Sequence, residues 1–272
     1  MIRRGLLNTL AIVLAVMWIF PVYWMVNTSF LPQNKARTSD PTFLPFGGDF
    51  SAYDRVLNPD FWHSFRLSLS VTLITVTIAL VFAFLSALAV SRFRFGGRKG
   101  FILTILIVQM IPAEALFISQ YKMLQGWNLL DSVAGLSVVY IAAVLPFTVW
   151  MLRGFVDGVP QDLEQAAMID GCSRTGAFFR ITFPLLAPGL VASGVYAFLQ
   201  AWNEFTLATV VMSPSNSTLP LWLRGLAVQT NQATDWPAVM AGAVLVALPV
   251  IIFFMLVQGR MTSGLVSGAV KG

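Results

Sequence analysis

Cysteine, histidine and charge are all scarce in this 272-residue chain, which has one Cys, one His, 17 Lys+Arg and 12 Asp+Glu. A single Cys excludes an intramolecular disulfide and a cysteine metal cluster, and a single His excludes any multi-histidine metal or acid–base constellation. Charged residues make up 11% of the chain, where a soluble globular domain carries about 25%. With 57% apolar residues and a mean hydropathy of +0.77, the chain has too few polar groups to cover a water-soluble fold. The same excess of apolar residues excludes a disordered chain. A net charge of +5 and a pI of about 9.7 would suit nucleic acid if the basic residues clustered on one face. They sit between long neutral runs instead, so nucleic acid is excluded as a partner.

Six stretches carry no charged side chain: Gly5–Asn34, Leu67–Ser91, Gly100–Ala113, Ser132–Leu152, Ile181–Asn203 and Trp236–Gly259. A hydrocarbon core of about 30 Å takes about 20 residues of helix to cross, because the backbone must satisfy its own hydrogen bonds there. Five runs are long enough alone. The third is expected to span by continuing through Pro112 and Glu114 to about Gln120, so Glu114 is either an interfacial carboxylate at a helix end or a group lining a pathway. The expectation is an all-α polytopic membrane protein, residues 1–272 forming one domain with six transmembrane helices. Arg3 and Arg4 followed by Leu10–Val26 imitate a signal peptide, but no small-x-small site follows in Asn27–Pro32, and the segment is taken as a retained first span. Trp18, Tyr23 and Trp24 serve there as interfacial anchors or as packing groups.

Positive charge orients the spans. Arg92, Arg94, Arg98 and Lys99 fall within eight positions that hold no acidic residue, which predicts a cytoplasmic loop and, with six spans, cytoplasmic N- and C-termini. The tail 260–272 then lies inside. A first extracytoplasmic loop, 31–66, is expected to be irregular, rich in Pro, Gly and Asp. A second, 211–237, holds Trp222, Arg224 and Trp236, a content that suits partner contact and interfacial anchoring equally.

The cytoplasmic segment 154–184 is too long and too patterned for a simple connection. Pro160 followed by Gln161 to Asp170 predicts a short helix with acidic residues in its first turn, ended by Gly171. Leu163, Ala166, Ala167 and Asp170 share a side by three-four spacing, and the alanines permit close approach of another surface. Ser173 is expected to cap a second short helix that Pro184 interrupts before span five. Such a pair is either an amphipathic elbow holding spans four and five in register or a docking element for a cytosolic protein.

At these residues the chain resembles the inner-membrane permease subunits of bacterial ABC importers of the carbohydrate type, the subfamily of the maltose and glycerol-3-phosphate permeases. Their signature is Glu-Ala-Ala, three residues, Gly, nine residues, Ile, one residue, Leu-Pro. Here Gln165, Ala166 and Ala167 occupy the triplet, Gly171 the glycine, Ile181 the isoleucine and Phe183-Pro184 the last pair. Gln165 departs from the usual Glu, which stands one position earlier as Glu164, and Phe183 departs from Leu. Thr28-Ser29-Phe30, Trp202-Asn203-Glu204-Phe205 and the tail Gly264–Gly272 extend the resemblance over nearly the whole chain, while Leu67-Ser68-Leu69 stands where relatives show Asn-Ser-Leu.

The resemblance implies the type I ABC importer permease fold and half of a translocation path. It also implies a second homologous permease subunit, two cytosolic ATP-binding subunits, an extracytoplasmic solute-binding protein, a carbohydrate substrate and a lipid environment. ATP and Mg would be used by the partner ATPase, with no cofactor bound by this chain and no catalysis in it. The sequence agrees in lacking Gly-x-x-x-x-Gly-Lys-Ser/Thr, since Gly96-Gly97-Arg98-Lys99-Gly100 has neither the spacing nor the hydroxyl. The coupling residues expected are Glu164, Gln165, Ala166, Ala167, Asp170 and Gly171, with Arg174 as an ionic partner. A bulky residue at Gly171 is expected to disrupt the bend and fill the gap against the ATPase. For the path, the candidates are Glu114, Tyr196, Gln200, Trp202, Asn203 and Glu204, polar and aromatic groups that suit a sugar or, alternatively, helix packing and partner contact. A glycerol-3-phosphate or polyol-derivative importer is the alternative substrate class. An ion-coupled secondary transporter is the mechanistic rival, and a membrane enzyme is weaker still, with the lone His63 in an outer loop.

Overall fold

The computed structural model describes residues 2–36, 38, 40–45, 48–228 and 233–269, with the backbone alone for 2–6 and 260–269. The side chains of Arg3, Arg4 and the tail, and all of 270–272, lie outside that description. The described chain is helical: α1 Ile2–Ser29, α2 Ser51–Val56, α3 Pro59–Arg92, α4 Arg98–Val108, α5 Phe117–Gly126, α6 Val133–Gly158, α7 Asp162–Ile169, α8 Arg174–Ala177, α9 Phe183–Trp202, α10 Thr206–Val211, α11 Leu219–Ala227 and α12 Trp236–Ala269. Among the described residues, five stretches are long and apolar enough to cross a membrane: Leu7–Ser29, Pro59–Arg92, Val133–Gly158, Arg174–Trp202 and Trp236–Gly259.

The third span differs from a single continuous helix. Arg98–Val108 and Ala113–Gly126 meet at a bend of 96°, a pair that makes a sixth crossing if both halves belong to one span. Pro112 explains the break: it has no N–H to give and bars helical geometry at Ile111. The N–H groups of Met110 and Ile111 instead close tight turns onto the carbonyls of Ile107 and Val108. Glu114 then lies in a single 3₁₀ turn, Ala113–Leu116, at the bend.

The chain divides into two compact units. One holds residues 1–65 and 218–251, the other 66–217 and 252–272. In the first unit the described part of the segment expected as an irregular loop over 31–66 is partly helical. It contains α2, and α3 already begins at Pro59, because Asn58 caps that helix, its Oδ1 accepting from the Phe61 N–H at 3.0 Å. Phe30, Phe50 and Tyr53 cluster with ring centroids 5.2–6.1 Å apart, and the Tyr53 hydroxyl lies 2.8 Å from the Ser29 hydroxyl. Trp222 of α11 is buried with its ring 5.2 Å from Phe61, so it packs the unit's interior rather than offering a surface. Asp235 caps α12 through the Ala238 N–H and pairs with Arg55 at 3.0 Å.

In the second unit, small residues set the packing. Lipid supplies no hydrophobic force between helices, so close van der Waals approach decides. Ala79, Ala83 and Ala87 of α3 are fully buried at four-residue intervals. Ala83 and Ala87 pack with Val149, Leu152 and Val156 of α6 and Leu186 of α9. On α9, Gly189 lies so close to α6 that a Cβ there would stand 2.4 Å from the Phe155 ring. Ser132 caps α6, its Oγ accepting from the Gly135 N–H at 3.1 Å.

Candidate coupling segment and membrane cavity

The elbow between α6 and α9 builds from its caps. Helix α7 begins at Asp162, one residue later than Gln161 and two after Pro160, with Asp162 and Glu164 in its first turn. It ends in a Schellman turn. Gly171 adopts φ +92°, its N–H reaches the Met168 carbonyl, and the Cys172 N–H reaches the Ala167 carbonyl at 3.0 Å. Ser173 then caps α8, its Oγ accepting from the Gly176 N–H at 3.1 Å, as the sequence suggests.

Pro184 does not interrupt the helical path beyond α8. The segment Phe178–Thr182 winds as a π turn that runs directly into α9, with Pro184 in the first turn of that helix. The wider register lets Phe183 donate to Phe178 and removes the need for the N–H that Pro184 lacks. Span five therefore runs unbroken over Arg174–Trp202. Phe84 of α3 meets Phe178 and Phe183 at 6.4 and 5.8 Å between centroids, an aromatic seat beneath the elbow.

On α7 the expected grouping of Leu163, Ala166, Ala167 and Asp170 is split. Ala167 is buried and Glu164 half-buried, while Leu163, Gln165, Ala166, Met168, Ile169 and Asp170 are exposed. Ile169 is 86% exposed, an apolar residue on an outer side that it shares with Asp162, Gln165 and Ala166. Glu164 faces inward: its Oε1 accepts from the Thr182 hydroxyl at 2.7 Å and lies 3.8 Å from Arg92. The guanidinium of Arg174 lies over the Phe93 ring at 5.8 Å. Arg153 forms the elbow's other close ion pair among the described residues, with Asp157 at 3.2 Å.

The second candidate is a cavity of about 210 Å³ whose walls include Glu114, Phe117, Tyr140, Tyr196, Gln200 and Glu204. Four of the six path residues expected from sequence thus share one space. The other two lie elsewhere. Trp202 is buried and stacked on Phe198, itself 4.1 Å from Phe253. Asn203 is exposed and its amide donates to the Leu199 carbonyl, closing the end of α9. Glu204 lies beyond α9, which ends at Trp202. Its carboxylate accepts from the N–H groups of Leu207 and Ala208 at 2.7 and 3.1 Å, capping α10. Tyr140 was not singled out by sequence; its hydroxyl donates to the Glu204 carbonyl at 3.4 Å. Arg92 was read only as part of the basic loop, although a cation at the end of a long neutral helix was the available signal for more.

Residues 79–265 match the sequence pattern of the binding-protein-dependent transport system inner membrane components. The chain belongs to this family. It is a multi-pass inner-membrane protein and a permease subunit of such a transport system. The diacetylchitobiose uptake system permease protein of Streptomyces coelicolor is 41% identical, covering 97% of this chain and 96% of its own. The trehalose transport system permease protein of Mycobacterium tuberculosis is 31% identical over 98% and 97%. Among solved structures, a bacterial ABC transporter involved in import of the acidic polysaccharide alginate aligns with TM-score 0.79 at 25% identity, over 94% of this chain and 95% of its own.

Proposed function

We propose that the protein is a permease subunit of an ATP-driven saccharide importer, forming half of the translocation path and relaying the closure of a cytosolic ATPase to it. The observation that carries this is the elbow: α7 is held to its own chain through Glu164 and Ala167 and turns Leu163, Met168 and Ile169 outward beside the Gly171 turn. Exposed apolar side chains set among charged and polar ones suit a helix that docks into a partner's groove. In that arrangement ATP and Mg are bound by two ATP-binding subunits, and this chain binds no cofactor and catalyses no reaction. The basic loop Arg92–Lys99 and both termini then lie in the cytoplasm, as the positive-inside rule expects.

The cavity supports the saccharide half of the reading. Tyr196 offers an aromatic face, and Gln200, Glu114 and Glu204 offer amide and carboxylate partners for hydroxyl groups. At about 210 Å³ it falls short of the roughly 300 Å³ at which small-molecule sites begin, so a second homologous permease subunit supplies the facing wall. An extracytoplasmic solute-binding protein delivers the substrate, with segment 211–237 as its contact. The carbohydrate names of the relatives favour a saccharide over glycerol-3-phosphate, and the described residues of the cavity wall include no Arg or Lys to hold a phosphate.

Two measurements test the proposal. Ile169→Asp is expected to cut co-purification of the ATP-binding subunits by about tenfold, since a buried charge at an interface costs upward of 1.4 kcal/mol; undiminished recovery would contradict docking here. Calorimetric titration of the cognate solute-binding protein with N,N′-diacetylchitobiose, trehalose and glycerol-3-phosphate decides the substrate class. Binding of glycerol-3-phosphate alone would overturn the saccharide assignment.

A further inference from the structure

Arg92 is the last residue of α3, and its side chain is mostly buried, with 12% exposed. Its Nη2 donates to the Val159 carbonyl at 2.9 Å, at the point where α6 gives way to the elbow. The same nitrogen lies 3.8 Å from Oε1 of Glu164 on α7. That oxygen also accepts from the Thr182 hydroxyl at 2.7 Å, in the π turn that opens into α9. Three residues thus tie the end of span two, the start of the elbow, its first helix and the root of span five into one cluster.

The cluster is costly for a part that only fills space. Nε of Arg92 is buried without a partner among the described residues, and an unsatisfied buried donor disfavours the fold. A methionine of similar length would occupy the volume without burying a charge, and ion pairs replaced by apolar residues are often neutral or stabilising. Val159, whose carbonyl Arg92 holds, belongs to one buried apolar cluster with Val156 and Ala87.

We propose that Arg92 is a positioning residue for coupling: with Glu164 and Thr182 it locks α7 to span two and span five, so that any displacement of α7 is carried into both spans as one rigid movement. This rests on the proposed docking of α7 against the ATPase and specifies what happens on the other side of that contact. Span two then receives the movement through Arg92, and span five through Thr182. The exposed side of α7 is left free for the partner, because the lock uses its inward side alone. The departure at Gln165 leaves this lock untouched, since it is Glu164 that engages Arg92 and Thr182.

The test is a distance measurement by pulsed electron spin resonance in the full assembled importer in proteoliposomes. Nitroxide labels go on Arg94→Cys and Asp162→Cys, both exposed positions outside the lock, in a Cys172→Ser background. In the otherwise native chain the distance between the labels is expected to be narrow and the same in nucleotide-free and ATP-trapped states. Arg92→Met and Glu164→Gln are each expected to broaden the distribution about twofold, and the double variant no further than either alone, because partners in one interaction are non-additive. Arg92→Lys keeps the charge and should narrow it again, a rescue that a loss of packing would not show. Thr182→Val probes the third arm with a residue of the same shape, should either charge variant fail to assemble. Unchanged widths in Arg92→Met and Glu164→Gln, or widths that add in the double variant, would overturn the lock. Failure of the docking proposal is read separately, by retention of the ATP-binding subunits on Ile169→Asp, to which the distance between the labels is blind.

Discussion

Gly171 has φ +92° and nothing within 4 Å of the place a Cβ would occupy, so within this chain a substitution is penalised by backbone conformation and not by lack of room. The sequence argument that a bulky residue fills a gap therefore applies only to a docked partner. A left-handed residue with a Cβ costs roughly 1–2 kcal/mol, and Gly171→Ala is expected to loosen the turn while Gly171→Val abolishes uptake with the subunit still inserted. Membrane fractionation beside an uptake assay checks both. Asp131, in the loop before α6, behaves differently. Burial opposes its charge, but the N–H and hydroxyl of Ser213, at 2.9 and 2.8 Å, and the side chain of Asn216 outweigh it, so its carboxyl titrates below the usual value. A lowered folded pKa gives stability that is present above the unfolded value of about 3.9 and is lost as pH falls through the folded one. The melting temperature of the native protein should therefore drop more steeply below about pH 4 than that of Asp131→Asn, which should be lower and flatter. Parallel curves would contradict the assignment.

At the scale of elements, the neutral runs were legible because the bilayer leaves a helix few options: five predicted runs correspond to five helices long enough to span. The caps at Ser173 and Gly171 were legible for a similar reason, each being a local choice made by one side chain or by its absence. What could not be read was register. Pro112 reads as a tolerable interruption of a third span, yet it breaks the helix by 96°, whereas Pro184 reads as a stop and is absorbed by a π turn. Whether neighbouring carbonyls find other donors decides between these outcomes, and that depends on tertiary packing. The inward turn of Glu164 and Ala167 was hidden in the same way, since three-four spacing tells which residues share a side but not which side is covered. Packing of α6 on α9 gives a direct check. Gly189→Ala places a methyl 2.4 Å from Phe155 and should lower stability by about 1–3 kcal/mol, seen as a lower melting temperature in detergent. An unchanged midpoint would mean that the two helices separate easily at this point.

For the whole molecule, the scarcity of charge and its placement answer different questions. Scarcity puts the chain in the membrane, and the family match over residues 79–265 makes it a permease of a binding-protein-dependent transport system. Placement gathers Arg92, Arg153, Asp157, Asp162, Glu164, Asp170, Arg174 and Arg180 around one elbow. Four of the six path candidates, readable as residue types, share one space. The gathering of Glu114, Tyr196, Gln200 and Glu204 around one cavity, without Trp202 and Asn203, required the break before α5 and the end of α9 at Trp202. In the proposed function a separate ATPase drives saccharide through this subunit. The most direct test is uptake of radiolabelled N,N′-diacetylchitobiose, trehalose and galactooligosaccharide into proteoliposomes holding the assembled importer and its solute-binding protein, with either an active or a hydrolysis-deficient ATPase. Uptake of at least one of these sugars should require the active ATPase and the solute-binding protein; uptake that survives the inactive ATPase and collapses when an ionophore dissipates the ion gradient would contradict the account.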